Sequence, residues 1–147
     1  MRKLLISCLA AIALLSSSSC GGGGGGDDAA GVTFLGGIYK GILTRISDTC
    51  EVGDPPTIAI NWTVNQTNST VALASQGGLS ATGSTIGNDS FQVNTKGPIG
   101  ACTADYVIVL KNITSDKANA TYSIVLACPT VSNCDVIYSG DVSRSQS

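Results

Sequence analysis

From Gly36 onward, short runs rich in Val, Ile, Thr and Tyr are separated at regular intervals by Gly, Pro, Asn, Asp and Ser, and no stretch has a helical period. The pattern predicts eight strands: Ile38–Ser47, Thr57–Gln66, Thr70–Ser75, Leu79–Thr85, Ser90–Lys96, Cys102–Ile113, Ala118–Ala127 and Cys134–Arg144. Alternation is clearest in the second, where Ile58, Ile60, Trp62 and Val64 fall on one face and Ala59, Asn61, Thr63 and Asn65 on the other. The same period assigns Val71, Leu73, Phe91, Val93, Tyr122, Ile124, Leu126, Val136, Tyr138 and Val142 to the inward face. Tyr106 to Leu110 is apolar in both phases, so the sixth strand is either covered outside or tolerates exposed valines.

Thr67-Asn68-Ser69, Gly87-Asn88-Asp89 and Thr114-Ser115-Asp116 are turn-forming sets suited to hairpins. Consecutive hairpins make consecutive strands antiparallel neighbours. Eight such strands with small polar outer faces define an all-β fold, a single up-and-down antiparallel β-barrel, because closure removes the sheet edges that invite aggregation. A two-sheet β-sandwich is the competing architecture.

The cysteines add an independent constraint. In up-and-down order, Cys50, Cys102, Cys128 and Cys134 all fall at one end of the barrel, and an even number in an exported domain reads as two disulfides. Cys102 and Cys128 are symmetric about Ser115, which favours Cys102–Cys128 across a hairpin and Cys50–Cys134 across the closing seam. The rival set joins Cys50 to Cys102 and Cys128 to Cys134 across the short Pro129 to Asn133 loop. With no histidine and no CxxC pair, the cysteines do not read as a zinc site.

The export reading rests on the N-terminus. Met1-Arg2-Lys3 is a cationic start, Leu4 to Leu15 is an apolar stretch interrupted only by Ser7, and Ser16 to Ser19 are small. As a helix that stretch is about 18 Å long, against a hydrocarbon core of about 30 Å. It reads as a signal peptide and not as a span. Cys20, set between the serines and Gly21 to Gly26, resembles the lipobox cysteine of bacterial lipoproteins, with Ser17 standing where such boxes carry Leu. Cleavage at the alternative Leu5-Ile6-Ser7-Cys8 would leave almost no apolar core to engage the export machinery. The resemblance implies that residues 1–19 are removed, that Cys20 becomes acylated, and that the protein is anchored by lipid in the bacterial cell envelope. In a Gram-negative host it implies the outer membrane, since Gly21 and not Asp follows the cysteine. The plainer alternative is a secreted protein in which Cys20 is a spare thiol. On the lipobox reading, residues 20–35 form a lipidated, Gly-rich tether, and residues 36–147 the barrel domain.

Charge and chemistry narrow the function. Without Arg2 and Lys3 the mature chain keeps six basic residues against ten acidic ones, with no basic cluster, which disfavours nucleic acid as a partner. The absence of histidine removes the commonest general base. The carboxylates lie mainly in loops or at strand ends, where they read as solvated, although Asp48, Glu51 and Asp54 together also suggest a calcium loop. No enzyme, cofactor or metal is expected. Six Asn-x-Ser/Thr triplets, beginning at Asn61, Asn65, Asn68, Asn88, Asn112 and Asn119, are in a bacterium a by-product of Asn- and Thr-rich outer faces.

Trp62, Tyr106, Tyr122 and Tyr138 are the candidate ligand-lining residues, set against ordinary core packing. Gly37-Ile38-Tyr39, Thr103-Ala104-Asp105-Tyr106 and Arg144 resemble the Gly-x-Trp, Thr-Asp-Tyr and closing-Arg signatures of lipocalins and the wider calycin barrels. Tyr replaces Trp, Ala is inserted, and no helix follows the eighth strand. The resemblance implies an Arg144 to Tyr39 stack at the end opposite the cysteines and a small apolar ligand inside the barrel. The alternative function is a protein-interaction or hydrolase-inhibitor module that presents the loops Asp48 to Pro56 and Gly97 to Cys102 to an extracellular protein. A purely structural envelope role is the third reading.

Overall fold

A computed structural model of the chain describes residues 33–50, 54–129 and 132–146; the expected signal peptide, Cys20 and the glycine run lie outside them. Eight strands follow one another: β1 (Gly37–Asp48), β2 (Thr57–Thr67), β3 (Thr70–Ser75), β4 (Ser80–Thr85), β5 (Phe91–Ile99), β6 (Cys102–Lys111), β7 (Lys117–Ala127) and β8 (Cys134–Ser145). Each pairs antiparallel with the next, and β8 closes on β1, so the architecture is a closed up-and-down barrel and not a sandwich.

The period-two pattern sorts the side chains as the alternation requires. Val64, Val71, Leu73, Phe91, Val93, Ile108, Leu110, Val136, Tyr138 and Val142 point inward and are buried, while the polar partners of the same strands face out. The two-phase apolar run of β6 resolves into Ile108 and Leu110 inside, with Val107 and Val109 half-buried outside. Those two valines lie between Asn94 and Gln92 of β5 and Ser123 and Thr121 of β7. On β4 the inward position 83 is glycine because a side chain there would collide with the backbone carbonyl of Gln92. The β2–β3 link is only Asn68-Ser69, and Asn68 takes a left-handed φ of 54° that asparagine tolerates better than most residues.

One end of the barrel is sealed. Leu35 is fully buried, so the folded part begins before the boundary expected at residue 36, and this short lead-in forms a floor across the end. Its backbone is held by Gln66, whose Oε1 accepts from Leu35 N, and by Tyr39, whose hydroxyl donates to Leu35 O. Arg144 completes the seal. Its guanidinium donates to the carbonyls of Phe34, Gly36 and Thr114 and lies 6.0 Å over the Tyr39 ring. Tyr39 in turn meets Phe91 edge to face. An eight-stranded barrel is just wide enough to be filled by side chains, and in this half it is filled.

The disulfides lie at the other end, as Cys50–Cys134 and Cys102–Cys128. The first bridges the β1–β8 seam and the second the β6–β7 hairpin.

Candidate functional site

The four aromatic residues singled out in the sequence come together around one of them. Tyr122, on β7, packs edge to face with Trp62 at 6.2 Å and lies near-parallel to Tyr106 at 6.3 Å and to Tyr138 at 6.4 Å. They occupy the half of the barrel nearer the disulfides, one layer above the solid core. Trp62 and Tyr138 are buried, whereas Tyr106 and Tyr122 keep partial exposure.

The opening that exposes Tyr122 follows from strand lengths. β3 and β4 have 6 residues each, while their outer neighbours β2 and β5 have 11 and 9. The β2–β3 ladder therefore ends at Trp62↔Ser75, and the β4–β5 ladder at Thr82↔Asn94. Above the β3–β4 hairpin the wall has a notch. Its edges are Thr57 to Asn61 of β2 and Thr95 to Ile99 of β5, three strand spacings apart, or about 14 Å. Behind the notch lies a cavity of about 380 Å³ lined by Ile58, Ile60, Trp62, Ser75, Leu79 and Tyr122, with Ala59, Asn61, Gln76 and Gly77 at its rim. Gly97, at an inward position of β5, also faces open space.

The two edges differ. Backbone groups in a strand face alternate sides, and Gln76 N donates to Asn61 O, so the odd-numbered residues of β2 face the notch. The Asn61 carbonyl is satisfied by that bond, but Thr57 and Ala59 have no partner strand there. By the same rule, the bond from Ile86 N to Ser90 O turns the even-numbered residues of β5, including Lys96 and Pro98, toward the notch. Proline offers no donor and lysine resists strand addition, so β5 carries the usual protection of an exposed edge, and β2 carries none. This also explains why β5 runs to Ile99, beyond the Lys96 expected from the sequence. Pro98 is accommodated because its nitrogen faces the gap.

The rest of this end is covered on the β8–β1–β2 side. Tyr138 donates its hydroxyl to Pro55 O, and Arg45 donates to Asp54 O and to Asp48 Oδ2. Asp48 and Asp54 thus serve to fix the loop, and Asp48 Oδ1 also accepts from Cys50 N. Glu51, the third residue of the suggested calcium loop, lies outside the described residues. Among the described residues no three His, Cys, Asp or Glu side chains converge as metal ligands.

Burial pushes the Tyr122 hydroxyl up to about 12, with Tyr106 and Tyr138 adding to the shift. Burial also raises Tyr138, helped by Asp54 and opposed by Arg45. In the sealed half, burial lifts Tyr39 to about 12 against the opposing pull of Arg144. These phenols are neutral at physiological pH and act as apolar faces with a hydrogen-bonding edge.

From Pro55 to Asn88 the chain has no charged residue, so the wall carrying β2, β3 and β4 is electrically neutral, and so is every residue lining the cavity. Sequence reasoning found the aromatic side chains because their bulk and inward phase are legible one at a time. It missed Ser75, Gln76, Leu79 and the free backbone of Ala59. The available signal was the shortness of the third and fourth predicted strands, which becomes a gap only once the sheet closes.

Comparison with protein-family models, with curated proteins and with solved structures finds no match for this chain.

Proposed function

We propose that this protein is an exported, lipid-anchored binding protein whose barrel holds a small apolar ligand in the cavity behind the notch. The observation that carries this reading is the Trp62–Tyr122 pair beside an open cavity of about 380 Å³ with Ile58, Ile60 and Leu79 in its lining, within the usual range of about 300 to 1,000 Å³ for ligand sites. The two disulfides support residence in an oxidising compartment, which agrees with export. The lipobox-like Cys20 and the glycine lead support a tether to the envelope membrane. Apart from Ala59, Ala72, Ala74 and Pro98, the outward faces of β2 to β5 carry Thr, Asn, Ser, Gln and Lys96 in place of the apolar band a membrane-spanning barrel presents to lipid, which supports a barrel standing in water. A binding role is the reading that the uncharged described lining of the cavity supports best.

A thermal-shift panel of fatty acids, sterols and quinones tests this reading, with the fluorescence of Trp62, the single tryptophan, as a second readout. A ligand at one hundred times its Kd adds about 2.7 kcal/mol to stability, enough to move Tm by several degrees. Stabilisation with a Trp62 spectral change supports the cavity as the site. Absence of any shift with this panel and with neutral compact apolar probes alike overturns it.

A further inference from the structure

Taking the cavity as a ligand site, as proposed above, we infer that its ligand is an uncharged, compact apolar molecule ending in a primary amide or hydroxyl, and that this polar end pairs with the free backbone of Ala59. Two independent features lead there.

The first is charge. Among the described residues, none lining the cavity is ionisable at neutral pH, and the wall around the notch has no charge between Pro55 and Asn88. The nearest cation on β1, Arg45, is already committed to Asp48 Oδ2 and Asp54 O. Lys96, at the far edge of the notch, is paired with Asp105 at 3.0 Å across the outer face. A carboxylate ending at the exposed rim would find no cation and would set acceptor oxygens against the Ala59 C=O, so it is disfavoured relative to a neutral group that can also donate. Fatty acids are therefore poor candidates within the wider panel, and neutral molecules good ones.

The second is the unprotected edge of β2. Ala59 N–H and C=O both face the notch with no strand beyond them, and Ala59 is part of the cavity rim. A donor and an acceptor set side by side on an extended backbone match a group that itself both donates and accepts, as a primary amide does with two contacts and a hydroxyl with one or two. The apolar body of the same molecule would lie between Ile58, Ile60 and Leu79 and against the Trp62 and Tyr122 rings.

The test uses the full chain and two probes of the same shape, adamantanecarboxamide and adamantanecarboxylate, titrated by calorimetry. At pH 7 the carboxamide is expected to bind at least tenfold tighter. The carboxylate is expected to recover most of the difference once the pH falls below its own titration. The N,N-dimethyl amide, which keeps the acceptor and loses the donors, is expected to bind five- to tenfold more weakly than the carboxamide. Ala59→Pro, which removes the notch-facing N–H and costs no ladder hydrogen bond, should weaken the carboxamide by a similar factor. The dimethyl probe reads the same contact in the unaltered protein if that variant does not fold. Equal affinity for carboxamide and carboxylate overturns the charge inference and leaves the cavity reading standing. Equal affinity for the primary and dimethyl amides overturns the role of the Ala59 backbone. Binding of a panel member without binding of the carboxamide overturns the ligand class alone, and failure of every compound overturns the cavity reading and this inference with it.

Discussion

Arg144 shows how much one side chain can hold. It is 8% exposed, lies over Tyr39, and its two terminal nitrogens satisfy three carbonyls from two separate segments. Arg144→Met keeps the stem and orphans the carbonyls, which should cost about 2 to 4 kcal/mol, read as a lower urea midpoint at unchanged m. Arg144→Lys should recover little, because an ammonium point charge cannot span the fork; full recovery would mean that charge alone matters. Tyr39 and Tyr122 belong to the same scale. Both have folded-state values of about 12 against 10.0 unfolded, so the stability they contribute is whole below pH 10 and is lost as pH rises toward 12. For Tyr39 that amounts to about 2 to 3 kcal/mol at 1.36 kcal/mol per pH unit. Phenolate absorbance near pH 11 should show both hydroxyls still protonated in the folded chain and released together on unfolding. Early ionisation of both would contradict their burial.

Among the elements, the β1–β8 seam is secured at both ends, by Cys50–Cys134 above and by Arg144 over Tyr39 below. The two bridges span 84 and 26 residues. Loop-closure entropy then predicts that Cys50→Ser with Cys134→Ser costs about 1 kcal/mol more than Cys102→Ser with Cys128→Ser, beyond the roughly 2 to 4 kcal/mol typical of either. Paired denaturation curves measure this, and equal losses would show that loop length does not set the worth of these bridges. Most elements were legible because the two-residue period of a half-buried strand writes itself into Ile58, Ile60, Trp62 and Val64 without help from distant residues. Thr70–Ser75 is read to the residue. The end of β5 was not legible, since Pro98 reads locally as a terminator and is permitted only by a gap two strands wide that no local window contains. Strand order placed the four cysteines at one end, but the symmetry about Ser115 only favoured the observed pairing over its rival, because both sets join residues at that same end. The cavity was legible only as a set of large inward rings, because a void is defined by what neighbouring strands fail to cover.

At the scale of the molecule the barrel is divided: a solid half floored by residues 33–36, and a half with the aromatic cluster, the cavity and both disulfides. Cys20→Ala should move the protein from the membrane fraction to the soluble fraction and remove the lipid mass from its N-terminal peptide; unchanged partition would contradict the anchor. The glycine lead joins the chain at the floor, far from the notch. Any pull along that lead reaches the domain at Phe34 and Gly36, where the Arg144 fork grips the main chain and ties it to β8 and the Thr114 turn. Several charge-assisted hydrogen bonds must give way together before tension peels β1. If the lead is the tether proposed above, the sealed end takes up the strain, so that tugging at the leash leaves the distant aromatic chamber undeformed.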